Sequence, residues 1–497
     1  MEKKKNSGGR RSGRPGTEKA PRATSQITPQ TVSRADSREI GPAEAMARVV
    51  RTETLIIGAG ASGLRAAVAA AEHSRVVVVD GNDRVGKKLY ATGNGRCNFT
   101  NALCRAEAYN AAEDGFVASV LSQCGTEETR SFFREAGMMD RREEGGRYYP
   151  HSGQASSVVR ALQSEAERRG CRFLLSDRAV AVGSAPPEDS PARFFAELES
   201  GRRIFCRQLI IACGGRAGLK TGSTGDGYGF ARAFGHTLCP PRPALAAVES
   251  EESFLRGLKG VRAKGSVALC RGGRRIAEES GEIQFTGTGL SGICVFDLTR
   301  HMEGLASPSS GKKLKKAAEK KDVSDLRDCS AETQAEARRI SEARASHTNL
   351  EKYCISCDFA PERREEELRD FLIYQTGRQG RSLTEALSGI VNDRLAEVLA
   401  ELAEERTPPS GKAAARAAAL LKELPVEVSH TKGWNDAQVT CGGVRREEID
   451  PQTMESRLVK GLYFCGEVVD VDGRCGGYNL QWAWSSGAVA GMMKGER

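Results

Sequence analysis

The chain has 497 residues, 39% hydrophobic and 28% charged, with a formal net charge of +9. That length suits about two to four domains. Residues 1–50 hold eleven Lys/Arg against five Asp/Glu, so the remaining chain carries only +3 and gives no case for a nucleic-acid-binding surface. No apolar run approaches the length of a membrane span. Fifteen cysteines without a framework pattern exclude a disulfide scaffold, and reduced thiols in a cytoplasm are expected.

The first 50 residues are rich in Lys, Arg, Ser, Gly and Pro and have too little apolar content to fold. They are expected to form a disordered basic tail. They lack the apolar core of a secretory signal.

Thr54-Leu55-Ile56-Ile57 then reads as a strand running into Gly58-Ala59-Gly60-Ala61-Ser62-Gly63, followed by the alanine-rich helix Leu64–Ala71 and a second strand, Val76–Val79, ending at Asp80. This is a complete βαβ dinucleotide fingerprint. Gly58 permits the sharp turn out of the strand, Gly60 the close approach of a pyrophosphate, and Gly63 the packing of helix on strand. The helix N-terminus aims free N–H groups and a positive dipole end at the phosphates. Asp80 sits where a carboxylate takes ribose hydroxyls, which favours NAD or FAD over NADP.

A glycine-rich loop follows, from Gly86-Lys87-Lys88-Leu89 to Gly93-Asn94-Gly95-Arg96-Cys97-Asn98. Residues 153–170 show helical spacing in Ala155, Val158, Val159, Leu162 and Ala166. Short strands are expected at 173–175, 194–196 and 203–205. A buried strand, Leu209–Cys213, ends at Gly214-Gly215. The loop Thr221–Gly227 leads into a helix near Tyr228–Phe234, and His236 reads as part of a helix end. Together, 51–245 form the first part of a cofactor-binding domain.

From 246 to 300 the pattern turns β-like, with Val267-Ala268-Leu269 and Ile293-Cys294-Val295-Phe296 as strand candidates. Residues 301–350 are highly charged and read as a solvated or disordered insertion. Residues 351–361 return one strand to the β-rich region, and 362–423 form a helical subdomain with Leu395, Val398, Leu399 and Leu402 on one stripe. The last segment, 424–497, carries a return strand and the second part of the cofactor domain. Within it, the strand Gly461–Cys465 ends at Gly466-Glu467. An acidic loop with Asp470 and Asp472 precedes Gly476-Gly477-Tyr478-Asn479 and a helix from Leu480. Bare glycine N–H groups at a helix start suit the flavin N1–C2=O edge, which becomes negative on reduction.

These motifs carry a family resemblance. The runs Gly93–Asn101, Thr440-Cys441-Gly442-Gly443-Val444, Glu448–Ser456 and Gly461–Gly491 resemble those of bacterial NAD(P)/FAD-dependent oxidoreductases of the aminoacetone-oxidase type. These are relatives of the fumarate-reductase-type flavoproteins in the glutathione-reductase fold group. The match covers about 52–245, 257–300 and 430–497. It implies an α/β fold, with a discontinuous Rossmann-like FAD-binding domain of glutathione-reductase type, an inserted β-rich domain and a helical subdomain.

The resemblance also implies roles. Gly58, Gly60, Ala61, Ser62 and Gly63 take the pyrophosphate, and Asp80 and Gly81 lie at the adenosine ribose. Asn94, Gly95, Arg96 and Cys97 lie along the isoalloxazine. Gly466 and Glu467 approach the ribityl and phosphate portion. Gly476, Gly477, Tyr478, Asn479 and Leu480 meet the pyrimidine edge. Lys88, Val180 and Gly214 complete the expected cofactor set. One branch of the family reduces the conjugated double bonds of 3-oxo-4,6-diene bile acids. This chain departs from common relatives in its tail, its charged insertion and Cys441.

No second complete dinucleotide fingerprint follows a strand, since Gly225-Asp226-Gly227-Tyr228-Gly229 lacks the spacing. FAD is therefore the expected resident cofactor, with NAD(P)H as a transient donor. The expected reaction is hydride transfer from flavin N5 to the electron-poor carbon of an enone or dienone in a hydrophobic substrate, with a nearby acid protonating the adjacent carbon. Candidates for that acid, or for polarising the carbonyl, are Arg96, Tyr149, His151, His430, Arg474 and Tyr478. Cys354-Ile355-Ser356-Cys357 lies in an expected strand, where residues three apart face opposite ways, so no metal site is assigned. The competing functions are an amine or aminoketone oxidase using oxygen, a tRNA-modifying flavoprotein, and a regulatory flavoprotein.

Overall fold

The computed structural model describes residues 49–110, 113–303, 352–404 and 411–492. Of the expected basic tail only Val49 and Val50 are described, and both belong to the strand Val49–Arg51. Of the expected charged insertion only 301–303 are described. The rest of both segments lies outside the described residues.

Short runs of mostly apolar residues build a five-stranded parallel sheet. Its order is Leu462–Phe464, Gln208–Ile211, Thr54–Ile57, Val76–Asp80 and Arg172–Leu175. Leu55, Ile56, Val78 and Val79 are fully buried, as a sheet covered on both faces requires. The edge strand Leu462–Phe464 arrives from the far end of the chain and pairs Ile210 with Tyr463. A second, four-stranded sheet joins Val49–Arg51, Arg203–Cys206, Phe194–Leu198 and Ala179–Ser184. The helix Ala155–Arg168 buries the expected stripe Ala155, Val158, Val159, Leu162 and Ala166.

The fingerprint helix, Ala61–Ala70, and the terminal helix, Tyr478–Gly491, pack backbone to backbone. A Cβ on Gly487 would lie 2.4 Å from the Ser62 carbonyl oxygen, and one on Gly491 2.5 Å from that of Ala66. Only hydrogen fits at either point. Helices this close bury their facing surfaces without intervening side chains.

The antiparallel pair Leu238–Ala244 and Val439–Val444 connects this half to a seven-stranded antiparallel sheet. That sheet runs Leu424–Glu427, Tyr353–Asp358, Arg262–Arg271, Arg274–Phe285, Gly289–Ser291, Val248–Glu249, His430–Thr431. The helices Glu365–Ile373, Leu383–Ser388, Asp393–Glu404 and Gly411–Lys422 follow its strand Tyr353–Asp358 in the chain. Leu395, Leu399, Ala417 and Leu421 share one core with Val267, Leu269, Ile355 and Cys357. The β-rich and helical segments thus complete each other's apolar face.

One expectation is overturned. Ile293–Phe296 is not a strand; Ile293–Thr299 is a helix entered through Gly292 at φ +112°. Four apolar residues fit either period. The buried set Cys294, Val295 and Leu298 follows the helical one. Cys354 and Cys357 do lie on a strand, the former half-buried and the latter fully buried. Among the described residues no helix is long and apolar enough to cross a membrane.

Gly487→Val forces the two helices apart and should destabilise the fold by about 3 kcal/mol. Gly229→Ala, on an exposed helical site where a Cβ meets nothing within 4 Å, should be neutral or stabilising by about 0.5–1 kcal/mol. Urea denaturation of the two variants checks the contrast.

Candidate functional site

Three glycines of the fingerprint have three different reasons to be glycine. Gly58 leaves its strand at φ +111°, and a Cβ there would strike the Ala212 carbonyl oxygen at 2.4 Å. A Cβ on Gly63 would sit 1.8 Å from the Gly58 oxygen. Gly60 is crowded by nothing: its Cβ position has no heavy atom within 4 Å. The helix that starts there has no side-chain cap, so its first N–H groups and its positive dipole end face that open space. Gly214, at φ +71°, also faces open space. A cradle left empty by the protein in front of an uncapped helix fits a pyrophosphate.

Asp80 ends its strand with both oxygens engaged. Oδ2 accepts from the Ala59 N–H at 2.7 Å, and Oδ1 accepts from the Asn82 N–H at 2.7 Å and its Nδ2 at 2.9 Å. The carboxylate therefore ties the strand end to the glycine loop. A Cβ on Gly81 would lie 3.1 Å from the Arg178 Cβ. Two residues on, a bulge leaves Val180 without a cross-strand partner and 53% exposed.

Lys88 Nζ lies 2.7 Å from Glu467 Oε2. Glu467 Oε1 accepts the Thr440 N–H at 2.9 Å, and Thr440 Oγ1 accepts the N–H groups of Arg216 and Ala217 at 2.8 and 3.1 Å. Four segments distant in sequence are knotted there. Gly466, at φ +78°, donates its N–H to Ser486 Oγ at 2.9 Å. Trp482 Nε1 donates to its carbonyl at 3.1 Å. The Tyr228 hydroxyl is buried without a partner.

The loop Gly93–Asn101 packs on the start of the terminal helix. Gly476 and Gly477 have φ values of +119° and +100°. A Cβ on Gly477 would lie 2.7 Å from the Thr100 carbonyl oxygen and 2.9 Å from Asn98 Oδ1. That Oδ1 is buried and unpartnered. Asn101 Nδ2 donates to the Gly476 carbonyl at 2.9 Å, and Trp484 Nε1 to that of Phe99 at 2.7 Å. The terminal helix also lacks a side-chain cap. Asn94 and Cys97 hold positive φ, 54° and 58°. Burial pushes the Cys97 thiol up to about 12, which keeps it neutral. Gly95 shares this loop, at φ +83°.

Among the expected catalytic residues, Arg96 lies with Tyr149 and Arg474 near Tyr478, while His151 and His430 each lie among other partners. Arg96 stacks over the Tyr149 ring at 4.1 Å and pairs with Glu143. His151 is exposed and lines a surface pocket of about 410 Å³ with Met139 and Arg160. His430 Nε2 lies 2.7 Å from Glu249 Oε2 at the edge of the seven-stranded sheet. Tyr478 is buried, its carbonyl accepting from the Tyr109 hydroxyl at 2.8 Å. Asn479 bonds the Gly473 backbone through both side-chain atoms, 2.8 Å each, and Leu480 packs against the core. Arg474 reaches Glu279, and its Nε lies 3.8 Å from Asp297 Oδ2.

Those two carboxylates were missed in the sequence. Asp297 Oδ1 accepts the Cys475 N–H at 2.7 Å, one residue before the glycine pair. Arg300, one helical turn on, forms a buried pair with Asp472 at 2.7 Å and donates to its carbonyl at 2.9 Å. Cys441 is buried, with its thiol pushed up first by burial and then by Asp472. Burial raises the carboxyls of both Glu279 and Asp297 above their usual range, opposed by Arg474. The spacing Asp297-Leu298-Thr299-Arg300 was the available signal, visible only once that segment is read as a helix.

A family model described as the HI0933-like protein Rossmann domain matches residues 52–493. The chain is similar to the 3-dehydro-bile acid delta(4,6)-reductase of Clostridium scindens, 36% identical over 454 residues, covering 89% of this chain and 98% of that protein. It is also similar to the ribosomal RNA dihydrouridine synthases of Haemophilus influenzae and Escherichia coli. These are 30% identical over 446 residues and 29% over 440, each covering 88% of this chain and 96% of the relative. The glycine cradle, the knot at Glu467 and the match along nearly the whole chain agree: this chain belongs to the HI0933-like family of FAD-binding Rossmann proteins and is a flavin-dependent oxidoreductase.

Proposed function

We propose that the enzyme reduces a C=C bond conjugated to a carbonyl in an apolar, steroid-like substrate. The observation that carries this reading is the 36% identity over 98% of the bile acid delta(4,6)-reductase. The dihydrouridine synthase relatives support the bond type. Dihydrouridine is uridine with the double bond next to its carbonyl saturated, so two unlike substrates share one electrophilic alkene.

FAD, when bound, supplies a hydride to the electron-poor carbon. The loop Gly58–Gly63 and the uncapped helix behind it hold the pyrophosphate, as the open space at Gly60 favours. Asp80 and Gly81 serve the ribose, and the bulge at Val180 leaves a strand edge for the adenine. Lys88, Gly214, Gly466 and Glu467 border the phosphate and ribityl portion. Asn94–Cys97 and Gly476–Leu480 border the ring, with the terminal helix dipole favouring negative charge beside it. Arg474 donates to the substrate carbonyl oxygen, which draws electrons away from the alkene. NADH or NADPH reduces the cofactor as a visitor.

Gly60→Val introduces a side chain into open space, so the fold should persist while FAD is excluded. The expected result is a protein with wild-type circular dichroism and at least ~100-fold weaker FAD binding, about 2.7 kcal/mol. Tight yellow binding by the variant rules out the pyrophosphate assignment.

Anaerobic bleaching with NADH and NADPH, followed by a 3-oxo-4,6-diene steroid, tests the reaction. Rapid return of the yellow colour with one dihydro product per cofactor is expected. Reoxidation only by air, with peroxide release, overturns the proposal in favour of the oxidase.

The dihydrouridine synthase relatives favour a second reading, ribosomal RNA as substrate. That reading requires dihydrouridine formation in unmodified ribosomal RNA, with affinity falling steeply as salt rises. The steroid reading expects neither.

A further inference from the structure

A cluster of charged side chains joins the inserted β-rich half to the loop before the terminal helix. Glu279 comes from the strand Arg274–Phe285, and Asp297 and Arg300 from the helix Ile293–Thr299 and its C-terminal end. Arg474 and Asp472 come from the loop that leads to Gly476 and Gly477. The fixing bonds are many. Arg300 holds Asp472, Asp297 holds the Cys475 N–H, and the Arg474 N–H donates to the Ala108 carbonyl at 3.1 Å.

Solvent access is graded across this group. The Arg474 side chain is 42% exposed, Glu279 21% and Asp297 5%. The guanidinium is therefore at the open face, Glu279 beside it, and Asp297 behind. An arginine keeps its proton in proteins and can polarise a carbonyl but not deliver a proton. Of the two carboxyls beside Arg474, Glu279 makes the closer contact and is the more open to solvent.

We infer that Glu279 is the acid that protonates the carbon next to the substrate carbonyl, with Arg474 binding the carbonyl oxygen and Asp297 positioning Arg474. This rests on the alkene-reduction reading above. The step balances. The hydride that FAD supplies forms one C–H bond and carries both electrons. The alkene π pair shifts toward the carbonyl, the Glu279 O–H bond breaks, and its proton forms the second C–H bond. Solvent reprotonates the carboxylate.

The charged and titratable groups facing Glu279 are Arg474 on the flavin-side loop and Asp297, Arg300 and Cys294 on the helix packed over its strand. Burial, with Asp297 as a like charge, holds the Glu279 carboxyl up, while Arg474 and Arg300 pull it down; the net direction is up. Protonated carboxyl is the working form, so alkene reduction should slow as pH rises through that raised pKa.

The experiment compares wild type, Glu279→Gln and Glu279→Asp by anaerobic half-reactions, using a 3-oxo-4,6-diene steroid as acceptor. Bleaching by the nicotinamide donor should be unchanged in all three. Reoxidation should fall on the order of 100-fold or more in Glu279→Gln and lose its pH dependence, with partial recovery in Glu279→Asp. Independently of turnover, infrared difference spectra of wild type against Glu279→Gln should contain a protonated-carboxyl stretch that fades as pH rises. Wild-type reoxidation rates and pH profile in Glu279→Gln, or absence of that stretch, overturn the acid. A wild-type enzyme inert to every enone overturns the alkene reading itself, and the assignment of Glu279 falls with it.

Discussion

The structure depends on the contact between two helices separated by more than 400 positions in the chain. The fingerprint helix and the terminal helix touch through Gly487 and Gly491, where a single added carbon would overlap the Ser62 and Ala66 carbonyl oxygens. That approach brings the strand end at Gly466 beside Ser62: a Cβ on Gly466 would lie 2.3 Å from Ser62 Oγ. The two walls of the cofactor site are thus fixed by backbone contact, which is stiffer than contact between side chains.

Around that contact the site is assembled from pieces that do not fold into a site alone. Thr440 supplies one hydroxyl to two peptide N–H groups of the 214–217 turn, while its own N–H is held by Glu467. Glu467 in turn holds Lys88. Each of these groups is partly buried and would be costly to leave unpaired. The knot therefore couples the return of the chain from the inserted half to the closing of the cofactor cradle.

The inserted half is attached by charge as well as by strands. Arg300 and Asp472, at 8% and 2% side-chain exposure, form an ion pair that includes a second bond to the backbone. Breaking such a pair strands a buried charge, at about 3–5 kcal/mol. The arrangement sets the carboxylates of Glu279 and Asp297 against the loop that opens the terminal helix, and so couples the β-rich half to that helix start. Arg96, within the 94–98 loop, stacks on Tyr149 and pairs with Glu143.

Local sequence was enough for the parts whose physics is local. The strand, glycine turn, helix and acidic strand end at 54–80 follow from periodicity and from the φ freedom of Gly58. The stripe at Ala155–Ala166 and the buried strand expected at Leu209–Cys213, observed at Gln208–Ile211, were legible for the same reason. The short run at 293–296 was not, because four apolar residues satisfy both periods and only packing over the strand Arg274–Phe285 selects the helix. By itself, then, the chain determined a nucleotide-binding βαβ unit, a matching glycine pair near its end and the kind of cofactor between them. Tertiary structure alone decided that Gly487 meets Ser62, that Glu279 meets Arg474 and that His430 meets Glu249 at a sheet edge, because these are contacts between residues roughly 200 to 400 positions apart, set by how two cores close and not by any preference within a segment.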